Sequence, residues 1–114
     1  MFRVEVVNIY HILNTTIEDA LTTKYIYIGR ENYKLKLEGS CLANPYPLSR
    51  YSRENSLALY KVYLDKQLEN INSPQYREIQ RLKEILISYN IKLVCYCVPK
   101  ECHGHYIKEV IERI

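Results

Sequence analysis

The chain has 114 residues, 47% of them hydrophobic and 25% charged, which fits one soluble domain spanning 1–114 and able to bury a core without staples. A formal charge of +3, from 16 basic and 13 acidic residues with no run of five or more basic side chains, argues against extended binding to duplex DNA and leaves room for a local basic pocket. No apolar stretch approaches the ~18 residues that a membrane span needs, and the start, Met-Phe-Arg-Val-Glu-Val-Val-Asn, breaks its apolar run with charge and does not read as a signal peptide. The expected location is therefore cytoplasmic, with no membrane partner.

Residues 2–9 are rich in β-branched side chains and predict a first strand. Residues 10–23 mix Thr, Asn and Asp with Ile17, Ala20 and Leu21 and predict a turn or short helix. Tyr25-Ile-Tyr-Ile28 predicts a second strand that stops at Gly29. The stretch 30–52, holding Gly39, Pro45 and Pro47, predicts a long loop, and loops of that length in small domains usually carry function. Ser52 then caps a helix with Leu57, Tyr60, Leu64 and Leu68 on one face, and Ser73-Pro74 opens another with Ile79, Leu82, Ile85, Leu86 and Tyr89 as its stripe. Asn90 suits a left-handed residue closing that helix. Residues 91–97 predict the third strand, ended by Pro99, and a last helix runs from Cys102 or His103 with Ile107, Val110, Ile111 and Ile114 at core spacing. The order implies an α/β fold: a small, mainly parallel, Rossmann-like sheet of about three or more strands with helices packed on it.

Ligands of open α/β sheets sit beyond the carboxyl ends of the strands. The loop after the third strand lies at such an end, and the helix behind it directs its N–H groups and positive dipole there. Cys102 and His103 at that helix start are the candidate catalytic pair, a thiol and an imidazole. Gly29 and Arg30 end the second strand, where a guanidinium suits phosphate or carboxylate. Asn44 in the turn Asn44-Pro45, together with Cys97, Lys100 and Gly104 around the last loop, completes the candidate ligand-binding set. Arg50 and Arg53 read as solvated surface charges. Cys95, in the apolar part of its strand, should be buried. Cys95, Cys97, Cys102 and His103 also form a possible zinc set, although Cys-x-Cys on an extended strand closes poorly on a metal and neither metal nor cofactor is expected. Disulfides among these cysteines are not expected, since the chain reads as cytosolic. Tyr is the compositional outlier, 12 residues against one Phe and no Trp, and suits either ordinary amphipathic packing or rings stacked on a flat ligand.

These residues resemble a known pattern. Ile28-Gly-Arg30, Asn44-Pro-Tyr46, the run from Arg53 through Tyr60 to Leu64, and Leu93-Val-Cys-Tyr-Cys-Val-Pro-Lys-Glu-Cys-His-Gly104 look like the bacterial and phage family called domain of unknown function 4326. Val6-Val-Asn8 resembles the family's start. Tyr96 stands where the family usually has Trp, Ala43 where it has Gly, and His105 where it has an acid; the stretch Glu31 to Cys41 is longer than the family's. The resemblance implies a bacterial or phage-encoded protein and supplies no activity.

The expected function is binding of a nucleotide or related phosphorylated small molecule in a crevice formed by the Gly29-Arg30, Asn44-Pro45 and Cys95–Gly104 segments, in a phage- or defence-related setting. The alternatives are an enzyme acting on a nucleotide, base or sugar through Cys102 and His103, and a zinc-stapled interaction domain. A homodimer stays open, because a short sheet leaves edges to cover. Arg30, Asn44 and His103 should converge on one concave site, because parallel strands place the ends of the second and third strands on one rim; antiparallel strands would set Arg30 and His103 at opposite edges.

Overall fold

The computed structural model describes residues 2–11, 21–96 and 100–113. Three strands, β1 (Val4–Asn8), β2 (Thr23–Tyr27) and β3 (Asn90–Cys95), form one sheet in the order β1-β3-β2. Both pairings are parallel, with Val6 and Ile26 each opposite Leu93. As the central strand, β3 is flanked on both sides, and its run Ile91, Leu93, Val94, Cys95 is buried. A strand enclosed in this way needs apolar side chains on both faces, so the alternation at Lys92 gives way to continuous hydrophobicity.

Among the described residues, three longer helices follow the same logic: α1 (Arg53–Leu68), α2 (Pro74–Leu86) and α3 (His103–Glu112). The Ser52 hydroxyl accepts the amide of Asn55, and the Ser73 hydroxyl accepts that of Tyr76, with Pro74 in the first turn where its missing N–H costs nothing. Tyr60, Leu64, Ile79, Leu82, Ile107 and Val110 from these helices meet Val4, Ile28, Ile91 and Leu93 in one core. The last helix lies closest to β1, and Gly104 makes that possible. A Cβ there would sit 2.7 Å from the Ile28 side chain and 3.0 Å from that of Val6.

The structure departs from the sequence-based expectations at several points. Asn90 opens β3 and closes no helix; α2 ends at Leu86 with Ile87 in the right-handed region. Among the described residues other than glycine, positive φ occurs at Lys36. The face of α1 also differs from the expected leucine stripe. Ser56, Tyr60 and Leu64 are its buried residues, while Leu57 and Leu68 are half-buried and Leu59 and Val62 are exposed. The reason is local: the loop before α1 packs on the helix start through polar groups, so a serine takes the place a leucine would hold. Strand β3 ends at Cys95, and the expected strand position Cys97 lies outside the described residues, as do most of residues 10–23.

Candidate functional site

The backbone leaves β2 through Ile28, whose amide still bonds the Val94 carbonyl at 3.1 Å, and then turns away at Gly29. The loop folds back on itself through the Ser40 amide to the Gly29 carbonyl and a small bridge between Asn32 and Leu37. Arg30 reaches across the loop: its Nε and Nη2 donate to the Asn44 carbonyl oxygen at 3.1 and 2.7 Å. Asn44 is itself held at both ends. Its Oδ1 accepts the Tyr46 amide in an Asx turn, and its Nδ2 donates to the Ser56 hydroxyl at 2.9 Å. The Ser56 hydroxyl passes its proton on to the Tyr46 carbonyl at 2.6 Å. One turn earlier on α1, Arg53 donates to the Glu101 carbonyl at 2.8 Å, tying the start of α1 to the residue before the cap of α3.

His103, the first residue of α3, turns toward the end of β2. Its Nε2 lies 2.8 Å from the Ile28 carbonyl oxygen, and its ring meets Tyr60 edge-on at 5.0 Å. A carbonyl only accepts, so Nε2 carries the proton and Nδ1 is the acceptor. Burial holds the imidazole pKa below its usual value; the Ile28 contact works the other way, and Arg30 adds to the lowering. The ring is accordingly neutral at ordinary pH. Its neighbour Cys102 caps α3 with an extended backbone and is 3% exposed. The Cys102 thiol donates to the Cys95 sulfur at 3.4 Å, far beyond the ~2.05 Å of a covalent S–S bond. The two candidate catalytic side chains therefore diverge, the thiol toward the floor of the sheet and the imidazole toward β2.

Between these elements lies a cavity of about 460 Å³ at the carboxyl ends of β2 and β3. Arg30, Arg53 and His103 contribute to its wall, as do Tyr27, Tyr46 and Tyr96. The aromatic side is cross-braced. Tyr27 donates to the Arg30 carbonyl at 2.5 Å, Asn32 donates to the Tyr96 hydroxyl at 2.8 Å, and Tyr27 and Tyr96 meet edge to face at 6.1 Å. Burial, followed by the Tyr96 contact, pushes the Tyr27 phenol well above its usual pKa, so it remains a neutral donor.

Arg30, Asn44 and His103 thus line one cavity, as parallel strands require, together with Gly29 and Cys102. Asn44 does so as a brace whose amide is already engaged at both ends. Lys100 is exposed and is not among the lining residues. Gly104 is buried against Ile28 and Val6 and serves the packing of α3 on the sheet. Cys97 lies outside the described residues. Cys95 is 2% exposed, as its place in an apolar strand predicts. Among the described residues, no group of three or more His, Cys, Asp or Glu side chains is placed to hold a metal ion. Arg53 belongs to the site although it read as a surface charge. A signal was present: an arginine in the first turn of a helix opposes the positive end of the dipole, so it needs another reason to be there.

A sequence profile described as Domain of unknown function (DUF4326) matches residues 13–113. No curated protein and no solved structure matches the chain. No helix among the described residues is long and apolar enough to cross a membrane.

Proposed function

The chain belongs to the domain of unknown function 4326 family, whose description assigns no activity, and from the geometry of the crevice we propose that it binds a nucleotide or related phosphorylated small molecule there. One observation carries this reading: two guanidiniums in the wall keep unused N–H groups. The amide of Asn44 and the hydroxyls of Ser56 and Tyr27 are engaged within the protein. Arg30 and Arg53 spend some N–H groups on backbone carbonyls, which are neutral, and among the described residues neither forms an ion pair with a carboxylate. Two guanidiniums with unused N–H groups beside aromatic rings suit a phosphate attached to a flat, stackable group.

The enzymatic alternative through Cys102 and His103 has less behind it. A thiol almost fully buried against Cys95 is poorly placed for attack, and the Nε2 of His103 is held by the backbone. A cytoplasmic setting in a bacterial cell, with the chain encoded by the bacterium or by a phage, belongs to this reading on the grounds of the free cysteines and the Cys95–Gly104 motif. Calorimetry with a panel of nucleotides, alongside absorbance at the nucleobase band of freshly purified protein, tests the binding reading. Saturable binding that weakens in Arg30→Gln supports it, and a panel without any binding refutes it.

A further inference from the structure

We infer that the crevice anchors the phosphomonoester of a single nucleotide and is largely indifferent to which base that nucleotide carries. The inference rests on the nucleotide-binding reading and adds what the site selects.

Discrimination between bases needs donors and acceptors aimed at a base edge, and a site that offers them rejects the wrong partner strongly. Here several of the amide and hydroxyl groups able to do so are held within the protein. The Asn44 side chain bonds the Tyr46 amide and Ser56. The Asn32 side chain bonds the Leu35 amide and the Tyr96 hydroxyl. The Tyr27 hydroxyl donates to the Arg30 carbonyl and lies 3.4 Å from the Tyr96 hydroxyl, which accepts from Asn32. The tyrosines of the wall offer a base ring surface, and stacking on an aromatic ring is tolerant of base identity because every base has a π-face.

The phosphate end is different. Arg30 keeps its Nη1 group and Arg53 keeps most of its fork, and both line the same cavity. Arg30 is fixed in place by two bonds to one carbonyl, so little side-chain freedom is lost when an anion arrives. The cavity of about 460 Å³ lies in the lower part of the ~300–1,000 Å³ range of small-molecule sites, in keeping with one nucleotide rather than two. Glu31, also in the wall, adds a carboxylate able to accept from ribose hydroxyls.

Calorimetry on the full chain with AMP, GMP, CMP and UMP, the matching nucleosides, ATP and cyclic AMP separates the cases. The four monophosphates should bind within about tenfold of one another, as stacking without edge contacts allows. The nucleosides should bind about a hundredfold or more weaker, the loss expected for charge-assisted contacts from two guanidiniums. Cyclic AMP, a monoanionic diester, and ATP should both be weaker than AMP. In Arg53→Gln, whose folding is checked by its melting curve, the gap between AMP and adenosine should narrow while adenosine itself is unchanged. One base favoured by more than about a hundredfold, or nucleosides binding as tightly as monophosphates, overturns this inference and leaves nucleotide binding standing. A panel silent throughout overturns both.

Discussion

Replacing Ser56 by alanine removes a hydroxyl that is fully buried yet polar in both directions. It accepts from Asn44 Nδ2 at 2.9 Å and donates to the Tyr46 carbonyl at 2.6 Å. Alanine fits the space and is a better helix former, so the helix itself should gain a few tenths of a kcal/mol. Against that, one buried donor and one buried acceptor lose a partner, at ~1–3 kcal/mol each when water cannot replace it. The cavity beside this pair admits some water, so the lower end applies, and the net expectation is a loss of about 2 kcal/mol. Urea denaturation of the two proteins, compared at constant m, reads this directly. The melting temperature should drop by roughly 6–12 °C at this chain length. A double-mutant cycle with Asn44→Ala should give a loss smaller than the sum, because both changes break the same bond. A loss below about 0.5 kcal/mol, the range of an ordinary surface substitution, would mean that the loop at Asn44–Tyr46 is not fastened to α1 in this way, and Arg30 would lose its fixed seat as well.

His103→Gln tests the buried imidazole. Its folded pKa lies below 6.5, so the unfolded chain takes up the proton first; the stability it provides is complete above about pH 6.5 and falls as the pH drops toward the folded pKa. The wild type should therefore lose more stability than the variant between pH 8 and pH 5 in urea titrations, and equal slopes would refute the assignment. Gly104→Val should destabilise by about 2–3 kcal/mol or more, since its added atoms meet Ile28 and Val6 at sub-contact distance, and an unchanged melting temperature would show that α3 does not approach the sheet so closely. Cys102→Ala should leave ligand affinity within about threefold, because the thiol faces Cys95; a loss of more than about tenfold, measured by calorimetry, would return the thiol to the centre of the site.

Much of the architecture was legible because it is written in local chemistry. Ser52 and Ser73-Pro74 announce two helices through capping, and the spacing of Ile107, Val110 and Ile111 gives the inward face of the last one. The parallel sheet, and with it the meeting of Arg30 and His103, follows from the order of elements. Other features depend on tertiary partners that no local pattern reveals. Ser56 is buried because Asn44, twelve positions earlier, needs its hydroxyl. Asn90 resembled a helix terminator, but its neighbours on β3 are drawn into the sheet by pairing with β1 and β2. Gly104 belonged to a motif read as ligand-binding, and only the distance to Ile28 shows that it serves packing. The three tyrosines of the crevice come from separate segments, so their assembly could not be read from spacing.

The place of β3 in the middle of the sheet has a consequence for how the molecule comes into being. Its residues pair with Val4 and its neighbours on one side and with Thr23 and its neighbours on the other, although they follow those partners late in the chain. On a ribosome, β1 and β2 emerge with nothing between them, and neither can join the sheet until residues 90–95 have left the exit tunnel. Contacts of such long sequence separation slow folding, because the closure entropy of the intervening chain is lost before the pairing is gained. The crevice is thus a late product of synthesis: its side at Gly29, Arg30 and Asn44 is translated early, but its opposite wall at Tyr96, Cys102 and His103 arrives only after the central strand.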